Sequence, residues 1–101
     1  MEKIYSLLGL CMKAGKLKTG SFQVAESIRD QSACLVLLSS EASRNTKKKF
    51  HNMCDFYGVK IAEIGTMEDI RKGIGKSERA VLSVIDDRLA DLVSGQLAQN
   101  Q

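Results

Sequence analysis

The residues with the clearest chemical character surround the predicted start of the second helix. They lie in the stretch KLKTGSFQ and are Lys16, Lys18, Thr19, Gly20, Ser21, Phe22 and Gln23. Lysines attract phosphate groups, and the first N–H groups of a helix form an anion-binding spot. Phe22 falls off the apolar stripe of this helix, so its ring would lie exposed, where it could stack on an unpaired base. The pattern predicts nucleic-acid binding, and a packing contact between Phe22 and the first helix is the alternative.

A second basic group lies on the predicted third helix. It consists of Arg44, Lys47, Lys48 and His51, spaced i, i+3, i+4 and i+7 on one helix face. Like charges at this spacing slightly destabilise a helix, so their accumulation favours an anionic partner. Residues 1–50 hold nine Lys/Arg against four Asp/Glu, whereas residues 51–101 hold six against eight. This asymmetry predicts that one face of the protein meets an anion such as nucleic acid.

Two other motifs indicate structure more than chemistry. The stretch GIGKS, Gly73 to Ser77, lacks the earlier glycine of a phosphate-binding loop, because Ile70 stands there. It also follows a predicted helix instead of preceding one, so we expect a helix C-cap on its first or second glycine. Asp86 and Asp87 follow a predicted strand, where some α/β enzymes place acids. We favour a role for them in capping the last helix.

The cysteines and the single histidine predict neither catalysis nor metal binding. Cys11, Cys34 and Cys54 are odd in number and far apart, which fits neither a disulfide framework nor a zinc site. We expect them to be small buried apolar residues. His51 has no sequence neighbour that would complete a catalytic triad. We therefore predict no catalytic residue, no metal and no cofactor.

Apolar periodicity predicts helices alternating with strands along the whole chain. The predicted helices are Glu2 to Ala14, the helix after Thr19, a long helix ending at Gly58, TMEDIRKGIG and DRLADLVSG. The predicted strands are KLKT, ACLVLLS, VKIAEIG and RAVLSVID, with ACLVLLS at the sheet centre. This order predicts an α/β fold, a three-layer α/β/α sandwich with a small mixed four-stranded sheet.

Length and composition predict one domain over residues 1–95 and a frayed C-terminal tail over residues 96–101. The apolar runs are much shorter than the roughly 20 residues needed to span a bilayer. The N-terminal stretch lacks the cleavage site of a signal peptide. We therefore predict a cytoplasmic protein with no membrane partner.

Four segments resemble a known family. LGLCMKAGKLKTG, LVLLSSEASRNTKKKF, Tyr-Gly-Val and IGKSERAVLSVID resemble the small bacterial relatives, of the YlxQ and YbxF type, of the kink-turn RNA-binding large-subunit ribosomal proteins. The resemblance extends from about Glu2 to Leu92. It implies an α/β/α sandwich that binds structured RNA, commonly a kink-turn with tandem sheared G·A pairs. It also implies that RNA is read by the start of the second helix and by the loop before the last strand, here Gly75 to Ala80.

The chain departs from the family pattern at the start of the second helix. The family pattern is close to Gly-x-Asn-Glu-x-x-Lys, and its Gly corresponds to Gly20. Phe22 replaces the Asn and can only stack, and Gln23 replaces the Glu with an amide. Glu26 replaces the Lys and would repel phosphate. The comparison therefore supports general RNA binding better than kink-turn specificity.

Together these observations predict a non-enzymatic RNA-binding protein, monomeric, whose partner is ribosomal or kink-turn RNA and, through it, the ribosome. The predicted RNA-binding residues are Lys16, Lys18, Thr19, Gly20, Ser21, Phe22, Gln23, Arg44, Lys47, Lys48, Lys76, Arg79 and Ala80. The alternative is a protein–protein interaction module of ribosome-associated or regulatory type, in which Phe22 is an apolar anchor. A small α/β enzyme is a third, weaker interpretation.

Overall fold

Helices and strands alternate in the computed structural model, which describes residues 2–75 and 79–99. The helices in this part of the chain are α1 (Glu2–Lys13), α2 (Ser21–Arg29), α3 (Arg44–Tyr57), α4 (Met67–Ile74) and α5 (Asp87–Gln99). The strands are β1 (Leu17–Thr19), β2 (Leu35–Ser39), β3 (Lys60–Ile64) and β4 (Val81–Val84).

The four strands form one mixed sheet in the order β1-β4-β2-β3. Strand β4 pairs antiparallel with both β1 and β2, whereas β2 and β3 are parallel. Strands β1, β2 and β3 therefore point the same way. Their C-terminal ends meet at one end of the sheet, where α2, α3 and α4 begin and β4 starts.

The helices cover both faces of the sheet and form two cores. One core joins α1, α4 and α5 to the sheet and includes Ile4, Leu8, Leu35, Leu37, Ile70 and Val93. The other joins α2 and α3 to the sheet and includes Val24, Ile28, Val36, Leu38, Phe50 and Cys54. Alternate residues of β2 enter opposite cores, so this strand is buried on both faces. The predicted three-layer sandwich is confirmed.

The helix ends follow the sequence signals in most cases. Gly15, Gly58 and Gly75 have positive φ angles after α1, α3 and α4, the left-handed region that favours glycine. The two glycines of the GIGKS motif therefore lie at the end of α4, because the Gly75 N–H donates to the Arg71 carbonyl (2.8 Å), and the rest of the motif lies outside the described residues. Asp86 caps α5, accepting from the Leu89 N–H (3.0 Å). The capping interpretation of both motifs is confirmed.

Two predictions about local structure are wrong. Helix α5 continues through Gly95 to Gln99, so the tail predicted to fray from residue 96 is largely helical. The physical reason is that Leu97 packs against the core formed with α1 and α4. The apolar spacing of Phe50, Met53, Cys54 and Tyr57 predicts that all four face the core, but Tyr57, the last residue of α3, is exposed.

The cysteines behave as apolar residues. Cys11 and Cys54 are buried, and Cys34 is half-buried. Burial raises the pKa of the Cys54 thiol to about 11. Burial, followed by the nearby Asp87 carboxylate, raises the pKa of Cys34 to about 11. These two side chains are therefore protonated thiols at neutral pH. No helix within residues 2–75 and 79–99 has the length and apolarity to cross a membrane.

Candidate nucleic-acid interface

The start of α2 and the residues before β4 lie side by side at the end of the sheet. The Gly20 N–H donates to the Val81 carbonyl (3.0 Å), and the Ser39 N–H donates to the Ala80 carbonyl (2.8 Å). Ala80 and Val81 therefore lie between the start of α2 and the end of β2. Two parts of the chain that are far apart in sequence are neighbours here, as the family resemblance implies.

Gly20 is the N-cap of α2 and has φ 89° and ψ 157°, a backbone region essentially restricted to glycine. Among residues 2–75 and 79–99, no side chain caps the N–H groups of this helix. The Arg79 side chain lies against Gly20, because a Cβ at Gly20 would be 3.6 Å from Arg79 Cδ and 3.7 Å from Nε. The backbone N–H groups at the start of α2 and the side chain of Arg79 are therefore neighbours. Lys76, predicted to belong to the same loop, lies outside the described residues.

Phe22 is 74% exposed in the first turn of α2. Helix α1 lies on the opposite face of the sheet, so a packing contact between Phe22 and α1 is excluded. Gln23 is also exposed, and its Oε1 accepts a long hydrogen bond from the Thr19 N–H (3.4 Å). The exposed ring and the amide therefore flank the helix start, as the sequence pattern predicts.

The two predicted lysines before α2 lie farther from this point. The Lys16 carbonyl accepts from the Ile85 N–H (2.9 Å), which places Lys16 at the other end of β1. At about 3.3 Å per residue, the Cα of Lys16 is about 13 Å from that of Gly20. Lys16 is therefore not a neighbour of Gly20, because the extended strand β1 separates the two residues, and its contact with an RNA backbone stays a prediction.

Lys18 lies between these ends and faces a cleft of about 220 Å³ beside α2. The cleft is also lined by Gln23, Glu26 and Asp30. Hydrogen bonds from Ser32 lower the pKa of Asp30, and the charge of Lys18 adds to that effect. The positive charge of Lys18 is therefore partly balanced by carboxylates of α2.

The basic stripe of α3 divides into two kinds of residue. Arg44, at the first turn, and Lys48 are exposed. The Lys47 ammonium instead donates to the Ser40 carbonyl (3.0 Å) and lies 3.2 Å from Glu63 Oε1. Lys47 therefore connects α3 to the preceding turn and to β3, and its predicted contact with RNA stays a prediction. Its partner Glu63 lies on a separate strand, so no local pattern reveals the pair.

Sequence reasoning also missed Glu41, which lies at the same end of the sheet. Its Oε1 accepts from the Met67 N–H (2.9 Å), so this carboxylate binds the start of α4. The acid follows β2 and the helix start follows β3, and the parallel pairing of these strands brings them together. In the described part of the chain, no three His, Cys, Asp or Glu side chains are placed to hold a metal ion.

Comparison with known proteins places this architecture in a family. Residues 2–93 match the Ribosomal protein L7Ae/L30e/S12e/Gadd45 family. The chain belongs to this family. It is 37% identical over 89 residues to the RNA-binding protein YlxQ of Enterococcus faecium, which covers 88% of this chain and 85% of that protein. It is also 37% identical over 87 residues to the RNA-binding protein YlxQ of Bacillus subtilis (strain 168), with coverages of 86% and 87%.

A solved structure has the same fold throughout its length. This protein of unknown function from Bacillus halodurans C superposes with a TM-score of 0.92 at 34% sequence identity. The match covers 95% of the present chain and 97% of that one. The resemblance inferred from the sequence segments is confirmed, and so is the fold class.

Proposed function

We propose that this protein binds structured RNA, ribosomal or kink-turn-like, at the end of the sheet where α2 begins. The observation that carries the proposal is the uncapped start of α2 at Gly20, with the Arg79 side chain against it. Uncapped N–H groups and the helix dipole attract an anion, and a guanidinium group binds phosphate oxygens well. The names of both YlxQ relatives describe RNA-binding proteins, which supports the same conclusion.

Each group at this end has a distinct role in the proposal. A phosphate binds the N–H groups after Gly20 and the Arg79 side chain, and the absence of a side chain at Gly20 lets the backbone approach closely. The Phe22 ring stacks on an unpaired base. The Gln23 amide contacts a base edge, since it carries both a donor and an acceptor. Thr19, Ser21 and Ala80 contact the RNA backbone beside them.

Exposed cations near this end extend the phosphate contacts. Arg44 begins α3, and Lys48 follows one turn later on an exposed face. Lys18 contributes less because Glu26 and Asp30 line the same cleft. Lys47 has a positioning role, since its ammonium is engaged by Ser40 and Glu63. In this proposal the protein acts by binding and performs no chemical reaction.

Salt dependence tests the proposal directly. Several phosphate contacts release counterions, so affinity for a structured RNA should fall at least tenfold between roughly 50 and 200 mM salt. Arg79→Ala should weaken binding and reduce the slope of log affinity against log salt by about one. Lys16→Ala, at the far end of β1, should change the slope less. A flat salt response in a filter-binding titration would exclude the proposed interface.

A triple variant tests the kink-turn part of the proposal. Phe22→Asn, Gln23→Glu and Glu26→Lys together restore the family pattern at the start of α2. All three residues are exposed, so the fold should tolerate the changes. We expect the triple variant to bind a kink-turn RNA hairpin more tightly than the parent does. Equal affinity of the two proteins would show that these departures leave kink-turn recognition intact.

A further inference from the structure

A second exposed surface lies between α2 and α3, on the outer side of the sandwich. One flank of α3 faces the edge strand β3, because Lys47 pairs with Glu63 there. At about 100° per residue, Lys49 and Phe56 lie on the opposite flank of α3, toward α2. The Lys49 ammonium lies 5.4 Å from the centroid of the Phe50 ring. Phe50 packs in the core that α3 shares with α2, which agrees with this placement.

Helix α2 also has an exposed flank that faces toward α3. Gln23 and Asp30 line the cleft beside Lys18 on the edge strand β1. Phe22 and Arg29 are rotated from them by about 100°, toward α3. Both helices start at the same end of the sheet and run in parallel. We call the exposed surface formed by Phe22, Arg29, Lys49 and Phe56 the α2–α3 surface.

The α2–α3 surface combines two exposed aromatic rings with two cations. Phe56 is 82% exposed, more than any other large apolar residue of the described chain. Its ring is held by an edge-to-face contact with Tyr57, with centroids 5.0 Å apart and an interplanar angle of 78°. Arg29 and Lys49 are exposed, and neither forms an ion pair within residues 2–75 and 79–99. Cations alternating with exposed rings are typical of surfaces that bind single-stranded nucleic acid.

We propose that the α2–α3 surface binds a single-stranded RNA segment that continues from the RNA bound at the start of α2. Phe22 belongs both to the proposed interface at the start of α2 and to the α2–α3 surface, so one RNA chain contacts the two surfaces without a gap. Arg29 and Lys49 contact phosphates, and Phe56 is a second stacking platform for a base. From Lys49 to Phe56 the helix rises about 10 Å, so a strand leaving Phe22 passes the cations before it reaches Phe56. The proposal rests on the proposed function for the position of the first contact.

Charge favours RNA over a protein at this surface. An apolar anchor for a protein partner is typically surrounded by neutral residues, because charged residues are depleted at the core of protein interfaces. Here Lys49 and Phe56 share one stripe of α3 with the amides Asn45 and Asn52. On α2, Arg29 lies two turns after Phe22 and lines a shallow depression together with Glu26 and Asp30, so the net positive charge of the surface is centred on α3. Amides and cations suit bases and phosphates.

A tailed RNA tests the proposal. The probes are a fluorescein-labelled kink-turn hairpin, alone and with a single-stranded tail of about ten uridines at either end. For the parent, one tail should strengthen binding at least about fivefold, the effect of one stacked base. Phe56→Ala, and separately the pair Arg29→Gln with Lys49→Gln, should remove most of this gain. Both variants should bind the untailed hairpin as the parent does.

Two control variants separate stacking from a general surface effect. Phe56→Tyr keeps an aromatic ring, so this variant should keep the increase in affinity that the tail provides. Leu92→Ala removes a 56% exposed apolar residue of α5, on the other face of the sheet. It should change neither the affinity for the tailed hairpin nor the affinity for the untailed hairpin. The inference is wrong if neither tail strengthens binding of the parent, or if Phe56→Ala retains the full gain. In both cases tight binding of the untailed hairpin would leave the proposed function standing. A parent that binds neither RNA contradicts the inference and the kink-turn part of the proposed function, whereas the salt titration with ribosomal RNA tests the rest of that function.

Discussion

Helices α2 and α4 begin at the same end of the sheet, but their first turns are built differently. Thr66 Oγ1 accepts from the Asp69 N–H (3.1 Å), and Glu41 Oε1 accepts from the Met67 N–H (2.9 Å), so the chain itself satisfies the start of α4. Helix α2 begins at Gly20, and no side chain in the described part of the protein caps it. The unsatisfied N–H groups of a helix start need an acceptor from outside when the chain supplies none. The difference indicates that the start of α2, and not the start of α4, is suited to bind an external anion.

The start of α4 also illustrates what the start of α2 can bind. A carboxylate from another part of the chain, Glu41, already occupies the position that an anion would take at α4. At α2 the corresponding group is a cation, since the Arg79 side chain lies against Gly20. The start of a helix and a guanidinium group both attract anions. The pair therefore strengthens the case for a phosphate at α2.

The largest expected effect in this comparison concerns Gly20. Because its backbone angles are essentially restricted to glycine, Gly20→Ala should lower the free energy of unfolding by about 1–3 kcal/mol. It should also weaken RNA binding by the folded protein, because the helix start must shift. Urea unfolding and RNA titration measure the two effects.

The matched control for Gly20 is Gly95, inside α5, where a Cβ would lie within 4 Å of no atom of residues 2–75 and 79–99, its own helix backbone and chain neighbours aside. Gly95→Ala should raise the free energy of unfolding by about 0.5–1 kcal/mol, since alanine loses less conformational entropy in a helix. RNA affinity should not change. If Gly20→Ala were as stable as the parent, the backbone strain argued for the start of α2 would be absent.

The next effect concerns Phe22, which belongs to the uncapped helix start. Phe22→Ala should reduce RNA affinity by about 1–3 kcal/mol, because one stacked base is lost. The Tm should stay close to that of the parent, since the ring is largely exposed. Phe22→Tyr is the matched control and should keep most of the affinity. A fall in Tm of several degrees would indicate that the ring packs against the protein.

The smallest effect concerns the capped start of α4. Thr66→Ala removes the acceptor for the Asp69 N–H and should lower the free energy of unfolding by about 0.5–2 kcal/mol. RNA affinity should remain that of the parent, because this helix start is already satisfied. Thr66→Ser keeps the hydroxyl group and should restore most of the stability. Loss of RNA affinity in Thr66→Ala would place the RNA at α4 instead of α2.

The sequence predicted the elements well because their signals are local. Apolar residues at helical spacing, such as Ile4, Leu8 and Cys11, are buried as expected. Gly58 ends α3 in the left-handed conformation that its position indicated. The end of α5 was missed because Gly95 resembles a stop signal. Only the tertiary contact of Leu97 with the core extends the helix beyond it.

By itself the sequence determined the type and order of the elements, the family, and the exposed position of Phe22, because each depends on local spacing. Only the tertiary structure decided which residues are neighbours. Strand pairing brings Arg79 against Gly20 and carries Lys16 away from it. The packing of α3 against β3 engages Lys47 with Glu63. These distances depend on the order in which strands far apart in sequence pair with one another. The local spacing of apolar and polar residues does not predict that order.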